Sequence, residues 1–223
     1  MRVLDLFCGG GGAAEGYLRA FPGAKIIGVD IVGHSINYPG QFILADALEY
    51  LAACGKDFDL VHASPPCQGY SPHVTSRSSQ WVPTKGKDEP RLIGAVRNAL
   101  TELGLPYVIE NVRGARDEMR APFMLCGTMF GLPIARHRFF ETSFPVTAPP
   151  HPKRSGVAKR AAEARGWEYR DMSVTGKGRR KGTADRWSEI MGVTHTMTQS
   201  ELAESIPPAY TAWIGRQWGD HGA

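Results

Sequence analysis

The stretch "RVLDLFCGGGGAAEG" (residues 2–16) joins a short apolar run to a glycine-rich turn and then to a helix-compatible segment. The apolar run has the length of a buried strand. The glycines match G-x-G-x-x-A at Gly9, Gly11 and Ala14, and glycine lets a backbone turn tightly and approach a ligand closely. The stretch predicts a strand, a turn and a helix, with the turn available to a ligand.

Five further apolar runs have the length of buried strands. One helix-compatible segment follows the run at residues 2–7, and another precedes the run at residues 107–112. Such strand–helix alternation is typical of an α/β doubly wound sheet with parallel strands. The segment 200–218 predicts a closing helix with a Pro-Pro pair near its first turn. The further strand runs are residues 25–30, 41–44, 58–63, 107–112 and 138–142.

Two acidic residues strengthen the ligand interpretation of the glycine turn. Asp30 ends the second strand, where an acid can bind ribose hydroxyls. Asp46 follows the third strand and can receive an adenine amino group. The Walker phosphate-binding pattern with its lysine is absent from the sequence. S-adenosylmethionine, which has an adenosine but no phosphate, therefore fits at least as well as NAD.

Reactive side chains follow the later strands. Cys67 stands in "SPPCQGYS" (64–71) after the fourth strand, where two prolines restrict the backbone and the neighbours are poor core residues. This favours a nucleophile over core filling. Glu110 ends the fifth strand, where burial would raise its pKa; capping or pairing with Arg113 is the alternative. The candidate groups thus gather at the carboxyl edge of the predicted sheet.

Two arginines precede or begin the last strand. Arg136 and Arg138 alternate in "ARHRFFET" (135–142) and are predicted to point to one face. Paired guanidiniums bind carbonyl, carboxylate or phosphate oxygens. A surface salt-bridge pair is the alternative interpretation.

The charge of the chain is unevenly spread. Residues 151–186 carry eleven Lys/Arg against four Asp/Glu, whereas the rest of the chain carries fifteen against eighteen. A basic segment on a nearly neutral body favours a polyanionic partner such as nucleic acid. A solubilising surface segment is the alternative.

The remaining composition excludes several classes. The chain has no apolar run of the length of a membrane span and no signal-peptide pattern, so we expect a cytoplasmic protein without a membrane partner. The four cysteines form no C-x-x-C pair, so their spacing predicts neither a metal site nor a disulfide framework. No feature of the sequence indicates an obligatory protein partner.

Taken together, these motifs resemble the cytosine-C5 DNA methyltransferase family. The resemblance lies in "DLFCGGGG", "PPCQGYS", "ENV", "RHR" and a variant C-terminal motif, "ESIPPAYTAWI". It implies a Rossmann-like S-adenosylmethionine-dependent methyltransferase fold. Residues 1–145 and 187–223 would form the catalytic domain and residues 146–186 a short basic target-recognition insert. The small size is similar to that of stand-alone phage methylases of restriction-modification or base-modification systems.

The resemblance also implies a role for each matching residue. Cys67 would be the nucleophile, Glu110 the group at cytosine N3, and Arg138 the ligand of O2, supported by Arg136. The cofactor residues would be Phe7, Gly9, Gly11, Gly12, Asp30, Ile31, Asp46 and Ser205. The DNA-binding residues would be Gln68, Ser71, Lys153, Arg154, Lys159, Arg160, Arg179, Arg180 and Lys181.

The implied activity is transfer of a methyl group to carbon 5 of a flipped cytosine in double-stranded DNA. Free dCMP or single-stranded nucleic acid is a second possible substrate, and a DNA-binding protein with a relic active site is a third interpretation. The sequence departs from the family pattern at Ile134, where glutamine is usual, and at Glu204, where asparagine is usual.

Overall fold

A seven-stranded sheet organises the part of the chain that the structure describes. The computed structural model describes residues 1–33, 37–70, 90–152, 156–168, 174 and 183–222. The strands are β1 (Arg2–Leu6), β2 (Lys25–Asp30), β3 (Gln41–Leu44), β4 (Leu60–Ala63), β5 (Tyr107–Asn111), β6 (Phe123–Leu125) and β7 (Arg138–Thr142). Their order in the sheet is β3-β2-β1-β4-β5-β7-β6.

The described helices begin and end where the sequence provides caps. Asp46 caps one helix by accepting hydrogen bonds from the amides of Leu48 and Glu49. Gly104, in the left-handed conformation, ends another. The helices are α1 (Gly12–Ala20), α2 (Ala47–Cys54), α3 (Ile93–Leu103), α4 (Val157–Glu163), α5 (Ala184–Met191), α6 (Gln199–Glu204) and α7 (Pro208–Gly222).

The predicted doubly wound α/β class is confirmed, with a correction at one edge of the sheet. Strands β3, β2, β1, β4 and β5 are parallel. In contrast, β7 runs antiparallel to both β5 and β6. The expectation of a parallel last strand was wrong because the short strand β6, which sequence analysis missed, lets the chain turn back before β7.

The predicted closing helix over 200–218 is two helices. Helix α6 ends at Glu204, and α7 begins at Pro208. Proline is favoured in the first turn of a helix because its missing N–H would be unsatisfied there anyway. The Pro-Pro pair therefore separates two helices instead of lying inside one.

Apolar clusters cover both faces of the sheet. One face packs against α2 and α3 through residues such as Leu51 and Leu100. The other packs against α1 and α7 through Tyr17 and Tyr210. A third cluster joins α4, Val174 and α5, so the described part of the basic insert has its own buried contacts. Among the described helices, none is long and apolar enough to cross a membrane.

Candidate active site

The glycine-rich turn after β1 has an unusual backbone. Phe7 has φ 56 and Gly9 has φ 50, both in the left-handed region that is uncommon for a bulky residue. The amide of Gly9 donates to Asp30 Oδ2 at 3.0 Å, and the amide of Val32 donates to Asp30 Oδ1 at 3.0 Å. Asp30 therefore fixes the turn to the end of β2, and a side chain at Gly9 would meet open space.

Other parts of the chain pack closely against Gly11 and Gly12. A Cβ at Gly11 would contact Tyr38 and Pro39, and a Cβ at Gly12 would overlap Ser205 Oγ. Neighbouring chain segments therefore require glycine at both positions, and the cofactor role expected of these two residues stays a prediction. Ser205 therefore lies directly beside the turn.

An exposed apolar rim lies at the ends of β2 and β3. Ile31 is 70% exposed, Val32 56% and Leu44 64%. Asp46, predicted to receive an adenine amino group, uses Oδ1 to cap α2. Capping of α2 is therefore enough to explain an aspartate at this position. Both capping bonds go to Oδ1, and neither uses Oδ2.

The loop that carries Cys67 is tied to the end of β5. Asn111 Nδ2 donates to the carbonyl of Pro65 at 2.9 Å. The amide of Tyr70 donates to the carbonyl of Cys67 at 3.0 Å and closes a 3-10 turn over Gln68–Tyr70. Cys67 is half-buried and belongs to none of the three apolar clusters. Cys67 thus lies in the loop that follows the carboxyl end of β4.

Glu110 is buried with an incompletely satisfied carboxyl group. Arg138 Nε lies 3.1 Å from Glu110 Oε1, yet this oxygen has no hydrogen bond of acceptable geometry. Burial raises the pKa of Glu110, and the charge of Arg138 and a hydrogen bond from Ser64 oppose the rise without cancelling it. A buried carboxyl of this kind can hold a proton.

The pKa of Arg136 depends on the charges of Glu110 and Cys67. Burial, followed by repulsion from Arg138, lowers the pKa of Arg136 to about 9, and Glu110 and Cys67 both oppose that change. Arg136 therefore remains cationic at neutral pH, and the charges of Glu110 and Cys67 both act on it.

The predicted strand alternation of the two arginines is wrong, because β7 begins only at Arg138. Hydrogen bonds position Arg136 instead. Its Nη1 donates to Val174 O at 2.9 Å and its Nη2 to Ala203 O at 2.6 Å. Arg136 is therefore held by the insert and by the end of α6.

Sequence analysis missed a buried polar chain behind Glu110. Ser64 bonds Glu110, and its Oγ lies 3.0 Å from His62 Nε2. His62 Nδ1 in turn lies 3.0 Å from the hydroxyl of Tyr17. Burial lowers the pKa of His62 to about 3, so this imidazole is neutral. The signal that could have found it is a histidine inside an otherwise apolar strand.

A second missed network joins the glycine turn to the C-terminal part. His195 Nδ1 lies 2.7 Å from Glu15 Oε2, and His195 Nε2 lies 2.8 Å from the carbonyl of Gly10. The amide and hydroxyl of Thr194 also donate to Glu15. Burial would raise the pKa of Glu15, but the bonds from His195 and Thr194 outweigh it and lower the pKa to about 2.

The predicted DNA-binding residues are only partly described. Gln68 is exposed beside Cys67, and Lys159 and Arg160 are exposed on α4. Lys159 Nζ lies 3.6 Å from Glu163 Oε1. The other predicted DNA contacts lie outside the described residues: Ser71, Lys153, Arg154, Arg179, Arg180 and Lys181.

The two departures from the family pattern lie in different environments. Ile134 is 8% exposed and belongs to the cluster of the insert and α5. Glu204 is exposed at the end of α6. Isoleucine at 134 thus supports packing, and the extra carboxylate at 204 faces solvent.

Comparison with known proteins gives a structural likeness. No family model matches the chain, and no curated protein sequence matches it significantly. A methyltransferase of Entamoeba histolytica superposes with a TM-score of 0.62 at 14% identity, covering 100% of this chain and 99% of that one. Human methyltransferase-like protein 13, in complex with SAH, gives a TM-score of 0.33 at 15% identity, covering 74% and 79%. The first likeness shows that this chain has a Rossmann-like fold shared with a methyltransferase.

Proposed function

We propose that the protein is an S-adenosylmethionine-dependent DNA (cytosine-5)-methyltransferase. The observation that carries the proposal is the meeting of a thiol, a buried carboxyl and two guanidiniums at one edge of the sheet. The charges of Glu110 and Cys67 both raise the pKa of Arg136, and Arg138 Nε is 3.1 Å from Glu110 Oε1. Each group has a task in activating a cytosine ring.

The cofactor proposal rests on the turn after β1. Asp30 stands at the end of β2, Gly9 leaves space beside it, and the exposed Ile31 offers an apolar surface for a purine ring. These residues suit an adenosine whose ribose is held by Asp30. When bound, S-adenosylmethionine supplies the electrophilic methyl group that an activated cytosine accepts.

Cys67 supplies the nucleophile in the proposed mechanism. Its thiolate adds to C6 of cytosine and breaks the C5–C6 double bond, which converts a poorly reactive ring into an enamine with a nucleophilic C5. The neighbouring cation Arg136 favours the thiolate. After C5 has been methylated, loss of the C5 proton and expulsion of the sulfur restore the double bond and free the enzyme.

Glu110 and Arg138 stabilise the charge that the addition creates. A raised pKa lets Glu110 carry a proton to N3 of the ring. The guanidinium of Arg138, 3.1 Å from this carboxyl, would hold O2. Glu110 Oε1 is ion-paired with Arg138 but accepts no hydrogen bond, which supports this role because a polar group of the substrate ring can bond to it.

Duplex DNA is the proposed substrate. A cytosine inside a duplex cannot reach Cys67, so the base must be flipped out. The basic insert 146–186 would hold phosphates, and such contacts position DNA without reading its sequence. The exposed Gln68 lies beside the nucleophile, where a residue can contact the opened duplex.

Methyl transfer to DNA tests the proposal directly. Wild-type protein should transfer labelled methyl groups to cytosine-containing duplex, and bisulfite-type sequencing of DNA from expressing cells should locate them. Cys67→Ser should abolish transfer while DNA affinity stays nearly unchanged. Cys54→Ser, which changes a half-buried thiol on α2, is the matched control and should remain active.

Two other results would point to the remaining interpretations. Transfer to dCMP or single strands but not to duplex would favour the nucleotide substrate. If wild type and Cys67→Ser bind DNA alike and neither methylates it, the protein is a DNA-binding relic. The intact set of Cys67, Glu110 and Arg138 argues against that outcome.

A further inference from the structure

Three side chains with metal-binding chemistry converge beside β7. Cys126 follows β6, His137 precedes β7, and His151 belongs to the basic insert. One ligand atom of each lies within 4.8 Å of the other two. The two imidazole rings face each other with centroids 5.6 Å apart and planes inclined by 29°. The fold thus gathers three segments of the chain around one small volume.

The donor set selects a particular class of ion. One thiolate and two imidazoles suit Zn²⁺, whereas Mg²⁺ and Ca²⁺ prefer oxygen ligands. Cys126 is 1% exposed, while both histidines are exposed. The buried thiol would be a protected ligand, and the two exposed imidazoles would let an ion enter from solvent.

Neighbouring groups already orient two of the donors. His151 Nδ1 lies 3.0 Å from the carbonyl of Pro152. A carbonyl only accepts, so Nδ1 carries the hydrogen and Nε2 presents its lone pair. The Sγ of Cys126 lies 3.1 Å from Thr128 Oγ1, whose hydroxyl can donate to a thiolate. Such supporting bonds accompany ligands in natural metal sites.

We propose that Cys126, His137 and His151 bind one Zn²⁺ ion, with water as the fourth ligand of a tetrahedral site. The ion would fasten the start of the insert to the β6–β7 edge of the sheet. It would also hold His137, which stands between Arg136 and Arg138 in the chain. The site is separate from the proposed methyl transfer, and neither proposal depends on the other.

Cobalt spectroscopy of the full chain tests the site, because Co²⁺ reports thiolate and tetrahedral coordination. After removal of metals with a chelator, one Co²⁺ per chain should bind with a thiolate charge-transfer band, and Zn²⁺ should displace it. Cys126→Ser should abolish the band. His151→Gln should weaken binding by about 100-fold or more, since removing a ligand should cost at least as much as removing its support, and His151→Cys should restore it.

Cys67→Ser and Cys54→Ser are the matched thiol controls and should keep the band. Absence of a thiolate band from wild type would overturn the proposal. So would a band that survives Cys126→Ser, or unchanged affinity in His151→Gln. If Cys126→Ser does not fold, the two variants of the exposed His151 decide the question alone. A zinc-dependent rise in the thermal midpoint of wild type, lost in His151→Gln, is the expected stability readout.

Discussion

Glu110 and Glu141 lie on the two strands of one antiparallel ladder, where Ile109 pairs with Glu141 and Glu110 pairs with Phe140. Both glutamates are buried and both are close to an arginine. Glu141 accepts bonds from Arg97 Nε at 2.6 Å and from Arg97 Nη2 at 2.7 Å. The amide of Arg120 and the hydroxyl of Tyr107 add two more.

The pKa values of these carboxyls move in opposite directions. At Glu141 burial would raise the pKa, but the bonds from Arg97 and Arg120 lower it overall. At Glu110 burial prevails and the pKa rises. Burial beside an arginine therefore does not identify a functional glutamate. The number of satisfied oxygen positions separates a structural ion pair from a carboxyl that is available to a substrate.

The largest expected effect concerns Glu110. Glu110→Gln removes the proton donor, so the methylation rate should fall by about 10²–10⁴-fold. In wild type the rate should decline as the pH rises through the elevated pKa of Glu110, and this limb should vanish in the variant. Single-turnover methylation over a pH series measures both. Glu102→Gln, on the exposed face of α3, is the control and should keep the wild-type rate. A wild-type rate in Glu110→Gln would mean that Glu110, like Glu141, has no role as a proton donor.

The converse prediction concerns Glu141. Glu141→Gln leaves the buried Arg97 guanidinium uncompensated and should lower the free energy of unfolding by about 3–5 kcal/mol. Methylation per folded molecule should change only a few-fold. Urea denaturation gives the first quantity and active-site titration the second. The double variant Arg97→Met/Glu141→Leu removes the unpaired charge but leaves the Arg120 amide and the Tyr107 hydroxyl without their acceptor, so it should recover part of the lost stability; no recovery would mean that the unpaired charge is not the cause of the loss.

A third buried glutamate extends the comparison to acid stability. The pKa of Glu15 is about 2 in the folded state against an ordinary 4.5. A carboxyl whose pKa is lower in the folded than in the unfolded chain stabilises the fold at any pH above the unfolded-state pKa. This stabilisation is lost as the pH falls from about 4.5 towards 2. The loss should reach about 3 kcal/mol. Urea denaturation measures the free energy of unfolding at pH 7 and at pH 3. The difference between the two pH values should be smaller in Glu15→Gln than in wild type. An equal difference would mean that the bonds from His195 and Thr194 do not stabilise the charged carboxylate.

The smallest expected effect concerns the polar chain behind Glu110. Ser64 bonds the charged form of Glu110 and lowers its pKa, so Ser64→Ala should raise that pKa further. The alkaline limb of the methylation rate should shift to higher pH by up to about one unit. The maximal rate should fall less than tenfold. A shift to lower pH would show that Ser64 instead stabilises the protonated carboxyl.

The sequence alone was sufficient for much of this description. Short apolar runs separated by helix-compatible segments determined the α/β class, since the side-chain period of a buried strand is local. Polar residues immediately after strands, such as Asp30 and Cys67, were placed at the carboxyl edge because parallel strands bring their ends together. The direction of β7 and the break before Pro208 were not evident, because long-range pairing decides them.

Only the tertiary structure determined what each site residue contacts. Nothing local tells that Glu141 accepts two hydrogen bonds from Arg97 while Glu110 Oε1 accepts none from Arg138, because these arginines are 44 and 28 residues away in the chain. For the same reason cysteine spacing predicted no metal site, although Cys126 lies near two histidines that follow it in sequence. Propensity and alternation act over a few residues, whereas hydrogen-bond satisfaction and ligand geometry depend on which distant segments the fold brings into contact.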